Sequence, residues 1–288
     1  MKPINYESGK DKMRAYLRHP VSFIIFLLVA LASLITFFVL IFLVAYILIK
    51  GIPNITPELF AWKYTSDNAS LTPSLINTLF MTLLSLLIAV PLGIFSAIYL
   101  VEYANRRNKL MGMIRITTET LSGIPSIVYG LFGMLFFVTA LEWGYSLLAG
   151  AFTMAIMILP LIMRTTEEAL KSVPVSFREG SFGLGAGKLR TVFRIVLPTA
   201  VPGILAGIIL GIGRVVGETA ALIYTAGTVA EVPDSVMSST RTLAVHMYNL
   251  SSEGLHMEQA YATAVVLLIL VVGINALSAF AARKLVKG

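Results

Sequence analysis

The chain has no cysteine among its 288 residues, which excludes disulfides and thiolate metal sites and leaves the redox state of its compartment unmarked. Charge is also scarce: 13% of residues are Asp, Glu, Lys or Arg, 57% are hydrophobic, and the mean hydropathy is +0.85. So little polar surface cannot cover a water-soluble domain of this length. Histidine is limited to three residues. His246 and His256 share one outer loop without a third ligand, so ordinary solvated imidazoles are expected there and not a metal site. The apolar–polar alternation of transmembrane barrel strands is missing as well, because the apolar runs are unbroken.

These runs are the dominant feature of the chain. A hydrocarbon layer about 30 Å thick is crossed by roughly 20 helical residues. Val21 to Ile49, Pro73 to Val101, Thr120 to Leu141, Trp143 to Met163 and Gln259 to Ala282 meet that length, as does Ile195 to Ala230, which is interrupted by Arg214 and Glu218. The prediction is an all-α polytopic membrane protein with six transmembrane helices: a polar segment over 1–20, then a transmembrane domain over 21–288. The first run follows Lys10, Lys12, Arg14 and Arg18 like a secretory signal. Its length is about twice the apolar core of a signal peptide and no small-residue cleavage site follows, so it reads as a retained helix.

Positive residues collect on the cytoplasmic side of membrane proteins. With the N-terminus inside, Lys50, Lys63 and Arg241 fall outside, Arg214 falls within a span, and the other 18 of the 22 Lys and Arg residues fall inside. Both termini are therefore expected in the cytoplasm, and the net charge of +7 needs no nucleic acid to explain it. The outer loops are acidic instead, carrying Glu58, Asp67, Glu142, Glu231, Asp234, Glu253 and Glu258.

Arg214 and Glu218 lie in an apolar run near mid-membrane. A central arginine costs about 2.5–3.5 kcal/mol on insertion scales, so it must meet a counter-charge, water or a substrate. Spacing i,i+4 places both side chains on one helix face, and Gly207, Gly211, Ala221 and Thr225 extend that face. Such a stripe either lines a narrow wet path or packs closely on another helix. One reading is a buried ion pair that joins helices. The other gives Arg214 the task of attracting an anion, with Glu218 neutralising it when the path is empty. A weaker signal is Ser122-Gly123-Ile124-Pro125-Ser126, where Pro125 forces a kink or helix start and the Ser122 and Ser126 hydroxyls could face an anion.

The longest inner loop, over 164–198, contains Gly183-Leu184-Gly185-Ala186-Gly187-Lys188, which imitates a phosphate-cradling loop. A Walker A motif would need Gly at Phe182 and Ser or Thr at Leu189, so the chain has no nucleotide site of that kind. The same loop reads Glu179-Gly180-Ser181, three residues, Gly185, nine residues, then Ile195-Val196-Leu197-Pro198. That spacing resembles the cytoplasmic EAA loop of bacterial ABC importer permeases. Ser122 to Gly130 and Gly213-Arg214-Val215-Val216-Gly217-Glu218-Thr219-Ala220 further resemble the PstA-type permeases of phosphate ABC importers, over residues 70 to 288.

The resemblance implies a type I importer permease fold and inward passage of inorganic phosphate along a path holding Arg214, Glu218, Ser126 and Thr225. It implies a docking loop in which Phe182 and Leu184 enter a cleft on the ATPase and Arg178 and Glu179 make polar contacts at its rim. Gly185 would make the turn, and Ile195, Leu197 and Pro198 would lead into the next span. No catalysis or cofactor is expected in this chain, since ATP and Mg would be held by the ATPase. The implied partners are a PstC-type permease, a PstB-type ATPase dimer, a PstS-type phosphate-binding protein and a PhoU-type regulator, within the lipid bilayer of the cytoplasmic membrane. Two alternatives stay open: a permease for molybdate or sulfate, and an ATP-independent secondary transporter.

Overall fold

The computed structural model describes residues 20–104 and 109–287, and every regular element among them is helical. The segment predicted over 1–20 lies outside the described residues apart from Pro20, as do Arg106 and Arg107. The chain divides into two units, with the boundary between Lys50 and Gly51. The first is described as one helix, α1 (Pro20–Gly51), apolar on every face. Its Ser33 and Thr36 hydroxyls donate to the carbonyls of Val29 and Ala32, at 2.8 and 2.9 Å. Back-bonding of this kind satisfies polar groups where hydrocarbon supplies no partner.

The second unit contains ten further helices: α2 (Thr72–Ile98), α3 (Lys109–Ser122), α4 (Ser126–Gly133), α5 (Leu147–Ser172), α6 (Val175–Gly183), α7 (Lys188–Thr191), α8 (Leu197–Val216), α9 (Ala220–Ile223), α10 (Leu243–Glu253) and α11 (Met257–Lys287). Wider π-helical turns extend α2 to Tyr103 and α4 to Ala140, and Val192–Val196 joins α7 to α8. This last turn immediately precedes Pro198. A proline lacks the N–H and crowds the carbonyl four residues back, and a widened turn accommodates both defects without ending the helix.

Among the described residues, five helical stretches are long and apolar enough to cross a membrane: Val21–Asn54, Thr72–Tyr103, Leu147–Ser172, Lys188–Val216 and Met257–Ser278. A sixth is a broken pair, Met111–Ser122 and Ser126–Ala140, bent by 104°. The sequence predicts a crossing over Thr120 to Leu141 with a kink or helix start at Pro125, and the structure breaks the helix there, at Gly123–Pro125. Pro125 pushes the preceding residue out of helical conformation. The amides of Gly123 and Ile124 turn back to Thr120 and Leu121, and the Tyr129 hydroxyl donates to Leu121 O at 2.7 Å, fixing the corner.

The run from Ile195 to Ala230 is also interrupted. Helix α8 ends at Val216 with Gly217 as its cap, and the Glu218 carboxylate accepts the Ala221 N–H at 3.1 Å, which starts the short α9. Beyond it, the chain folds over the outer ends of α2 and α5. Asn77 Nδ2 donates to Glu231 O and Arg241 O at 2.8 and 3.3 Å, and the Leu147 and Leu148 amides donate to Ser238 O and Val236 O.

Helix α5 is the centre of the packing. Met154, Met157, Ile158 and Ile162 are buried against Met81 and Ala89 of α2, Tyr129 of α4, Val215 of α8 and Leu222 of α9. The approach of α8 to α5 depends on small residues. A Cβ built on Gly203 would lie 2.6 Å from Ala169 Cβ, and one on Gly207 would overlap the Thr165 hydroxyl. Of the two roles the sequence allowed for the small-residue stripe, Gly207 performs close helix packing, whereas a Cβ on Gly211 would meet only ordinary contacts at 3.9 Å.

Candidate functional site

A cavity of about 610 Å³ opens between α3, α5 and α8. Two helical stripes supply its polar wall. Arg115, Thr118, Glu119 and Ser122 recur at one-face spacing along α3, and Arg164, Glu167, Glu168 and Lys171 do the same along α5. Arg214 of α8 joins them, giving four cations against three carboxylates. Glu167 Oε1 lies 2.9 Å from Arg115 Nη2 and 2.6 Å from Lys171 Nζ, and Arg164 Nε reaches Glu168 at 3.1 Å. Among the described residues, no carboxylate pairs with Arg214.

The Arg214–Glu218 pair predicted on one helix face is therefore not formed. An i,i+4 pair needs an unbroken helix, and α8 stops between the two residues, at Gly217, leaving Glu218 to cap α9. Thr225 is removed from the path by the same break. It is fully buried, its hydroxyl donates to Ala221 O at 2.8 Å, and its methyl packs beside Gly133. Ser126 begins α4 beyond the corner and is not among the residues lining the cavity, whereas Ser122 is. Sequence reasoning recovered Arg214 and missed Arg115, Arg164, Glu167 and Lys171. Their one-face spacing on two helices was the available signal.

The predicted docking loop is a helix–turn–helix. Helix α6 ends in a turn whose Gly185 has φ +81°, a left-handed conformation that glycine adopts without strain. The Ser181 and Thr191 hydroxyls meet at 2.8 Å across this turn. Leu184 at its tip is 91% exposed, and Phe182 is exposed as well. Glu179 is exposed on α6, Ile195 and Leu197 are half-buried, and Pro198 lies in the first turn of α8.

Arg178 departs from the expected contact at the partner's rim, because it faces inward. Its Nε and Nη2 donate to Glu102 Oε1 at 3.0 and 2.7 Å, Nη1 to Val173 O at 2.9 Å, and Nη2 also to Leu170 O at 2.9 Å. It clamps this helix–turn–helix to the C-terminal ends of α2 and α5, beside the cluster formed by Ile98, Leu170, Val173, Val192 and Val196.

At the opposite end of the helices His246 is fully buried, a correction to the solvated imidazole expected from its loop position. Helix α10 turns it inward, where its Nε2 faces Ala69 O at 3.2 Å and its ring meets the edge of Tyr64. The buried Arg241 guanidinium lies 4.4 Å from the Tyr64 ring centre. Burial first, and Arg241 second, push the His246 pKa down from 6.5 to about 3. The neutral ring is thus the folded form, and an opened segment takes up a proton as pH falls through 6.5. Stability is complete above that pH and declines from there toward pH 3. At pH 5 the expected loss is about 2 kcal/mol. The protection of the α10 amides against hydrogen exchange, taken relative to the intrinsic chemical rate at each pH, should fall accordingly on acidification, and a His246→Phe variant should remove the effect. Exchange that follows only the intrinsic chemical rate would refute it.

Helices of this length and a bent span define a multi-pass membrane protein. The chain belongs to the binding-protein-dependent transport system inner membrane component family, which matches residues 89–287. It is 35% identical over 232 residues to the probable ABC transporter permease protein YqgI of Bacillus subtilis, covering 75% of this chain and 79% of that one. It is 43% identical over 157 residues to the phosphate transport system permease protein PstA 1 of Mycobacterium tuberculosis, covering 54% of this chain and about half of that relative (50%). The fold matches a chain of a bacterial alginate ABC transporter, crystallised with a periplasmic protein carrying an alginate pentasaccharide. The TM-score is 0.68 at 14% identity, over 94% of this chain and 98% of that one.

Proposed function

We propose that this chain is the permease subunit of an ATP-driven phosphate importer, passing inorganic phosphate inward along a path that contains Arg214. The observation that carries the reading is a guanidinium on a cavity wall, within the membrane-spanning core, with which no carboxylate pairs among the described residues. A charge so placed persists where a mobile anion pays for it. The names of the phosphate-permease relatives support phosphate as that anion. The transmembrane domain would extend over 21–288, with 1–20 and both termini in the cytoplasm.

The exposed Leu184 and Phe182, held out by the Gly185 turn, fit a cleft on a separate ATPase dimer that holds ATP and Mg. A second permease would complete the channel, and a phosphate-binding protein would deliver the anion outside. Acidic outer loops repel free phosphate, so delivery by a receptor suits them better than capture from solution. A PhoU-type regulator completes the proposed assembly.

Uptake of labelled phosphate by the reconstituted complex tests both halves of the reading. Excess sulfate or molybdate should leave it unchanged, and Arg214→Gln should reduce it at least about 100-fold, the loss of a buried charge contact. Leu184→Asp should abolish capture of the ATPase with little change in thermal stability, since that side chain is 91% exposed. Competition by sulfate would reassign the substrate. Uptake by the chain without any ATPase would overturn the coupling.

A further inference from the structure

Next to the cavity that holds Arg214 lies a second of about 320 Å³, lined by Leu100, Val101, Ala104, Arg115 and Lys171. Arg115, Lys171 and Leu100 line both cavities, so these side chains form the partition between them. Glu167 lines only the first. From there its Oε1 approaches Arg115 at 2.9 Å and Lys171 at 2.6 Å, on a side chain only 15% exposed. The oxygen is enclosed, yet neither contact has hydrogen-bond alignment. One carboxylate thus serves two cations with imperfect geometry, and Glu119, the carboxylate of the α3 stripe, forms no ion pair with either of them among the described residues.

We propose that Arg115 and Lys171 form a second oxyanion station, nearer the cytoplasm than Arg214, which Glu167 occupies when no anion is present. The inference rests on the phosphate-transport reading. Helix α5 carries both levels: Pro160 lines the cavity near Arg214, and Lys171 lies about 16 Å further along the axis at ~1.5 Å per residue. An oxyanion leaving Arg214 meets this pair next. Hydrogenphosphate carries two charges and several acceptor oxygens, so it matches two cations better than a single carboxylate does. Displacing Glu167 opens the partition between the cavities. The return of Glu167 then competes the anion off its station and lets it leave, so the carboxylate sets the release rate.

The test uses the complete importer in lipid nanodiscs, with labelled phosphate binding measured without ATP and uptake measured with it. Glu167→Gln should strengthen phosphate binding and lower both KM and kcat, each by about tenfold, the scale of an ordinary coupling between sites. Arg115→Gln should raise KM. The Arg115→Gln/Glu167→Gln pair keeps the local charge of the wild type and should restore near-normal binding, which a purely structural bridge would not do. Unchanged binding and kinetics in Glu167→Gln, with uptake still lost in Arg214→Gln, would overturn the second station and leave the transport reading intact. Normal uptake in Arg214→Gln would remove that reading first. Reduced assembly with unchanged KM in both Glu167 variants would make the bridge a latch and refute the station.

Discussion

Replacing Arg178 with alanine should destabilise the protein by about 3–5 kcal/mol and abolish ATP-driven uptake in the same variant. The size follows from what the guanidinium satisfies: Glu102 through Nε and Nη2, and the carbonyls of Val173 and Leu170. The two charged side chains are 17% and 9% exposed, so water reaches the remaining partners poorly. Alanine leaves a carboxylate and two carbonyls without their donors, and unpaired buried acceptors cost more than the bond itself supplied. Lysine should not rescue the variant, because a point charge on a flexible stem cannot span three acceptors as the planar fork does. Glu102→Ala should also destabilise, and the double variant should cost less than the two single effects combined, since both remove one interaction. The functional loss follows from position, for Arg178 ties the helix bearing the Gly185 turn to the transmembrane core. Thermal unfolding of the purified protein, measured beside uptake, checks the claim. A stable Arg178→Ala protein with normal transport would show the clamp to be dispensable.

A comparable effect is expected at Gly207. A Cβ there would overlap the Thr165 hydroxyl and lie 2.7 Å from Thr165 Cβ, so Gly207→Val must force α8 away from α5. Overpacking of this kind costs about 1–3 kcal/mol, and a β-branched side chain at a closest approach belongs at the upper end or beyond. The same displacement separates Arg214 from Arg164, the cavity residues carried by these two helices, so uptake should fall with stability. The swap Gly207→Ala with Thr165→Gly moves the methyl group to the opposite helix. It should recover most of the loss, since a glycine is moved from one helix to the other and none is added. Failure of the swap, with Gly207→Ala alone well tolerated, would place the close approach elsewhere.

Much of the architecture was legible from the residues because lipid imposes a simple requirement. A chain crossing hydrocarbon must be apolar and internally hydrogen-bonded, and runs such as Pro73 to Val101 meet both conditions without help from neighbours. The turn at Gly185 was legible for a similar reason, since only local sterics decide it. Side-chain direction was less accessible. Arg178 looked available to a partner because a charge beside an exposed loop usually is, and only the arrival of α2 supplies Glu102 as its partner. His246 looked solvated because it follows a polar connector, and only the packing of α10 against Ala69 and Tyr64 buries it.

The polar stripes on α3 and α5 are an intermediate case. Their spacing was present in the sequence, yet the α3 stripe begins ahead of the apolar run that starts at Thr120, and the α5 stripe lies beyond the run that ends at Met163. The failed Arg214–Glu218 pair shows the limit of periodicity as evidence, because i,i+4 spacing has meaning only where the helix continues. Composition and local sterics by themselves determined that this chain spans a membrane several times and where it turns at Gly185. Tertiary structure alone decided which charges share a cavity and which are clamped away, because those outcomes depend on distances between helices that no single segment encodes.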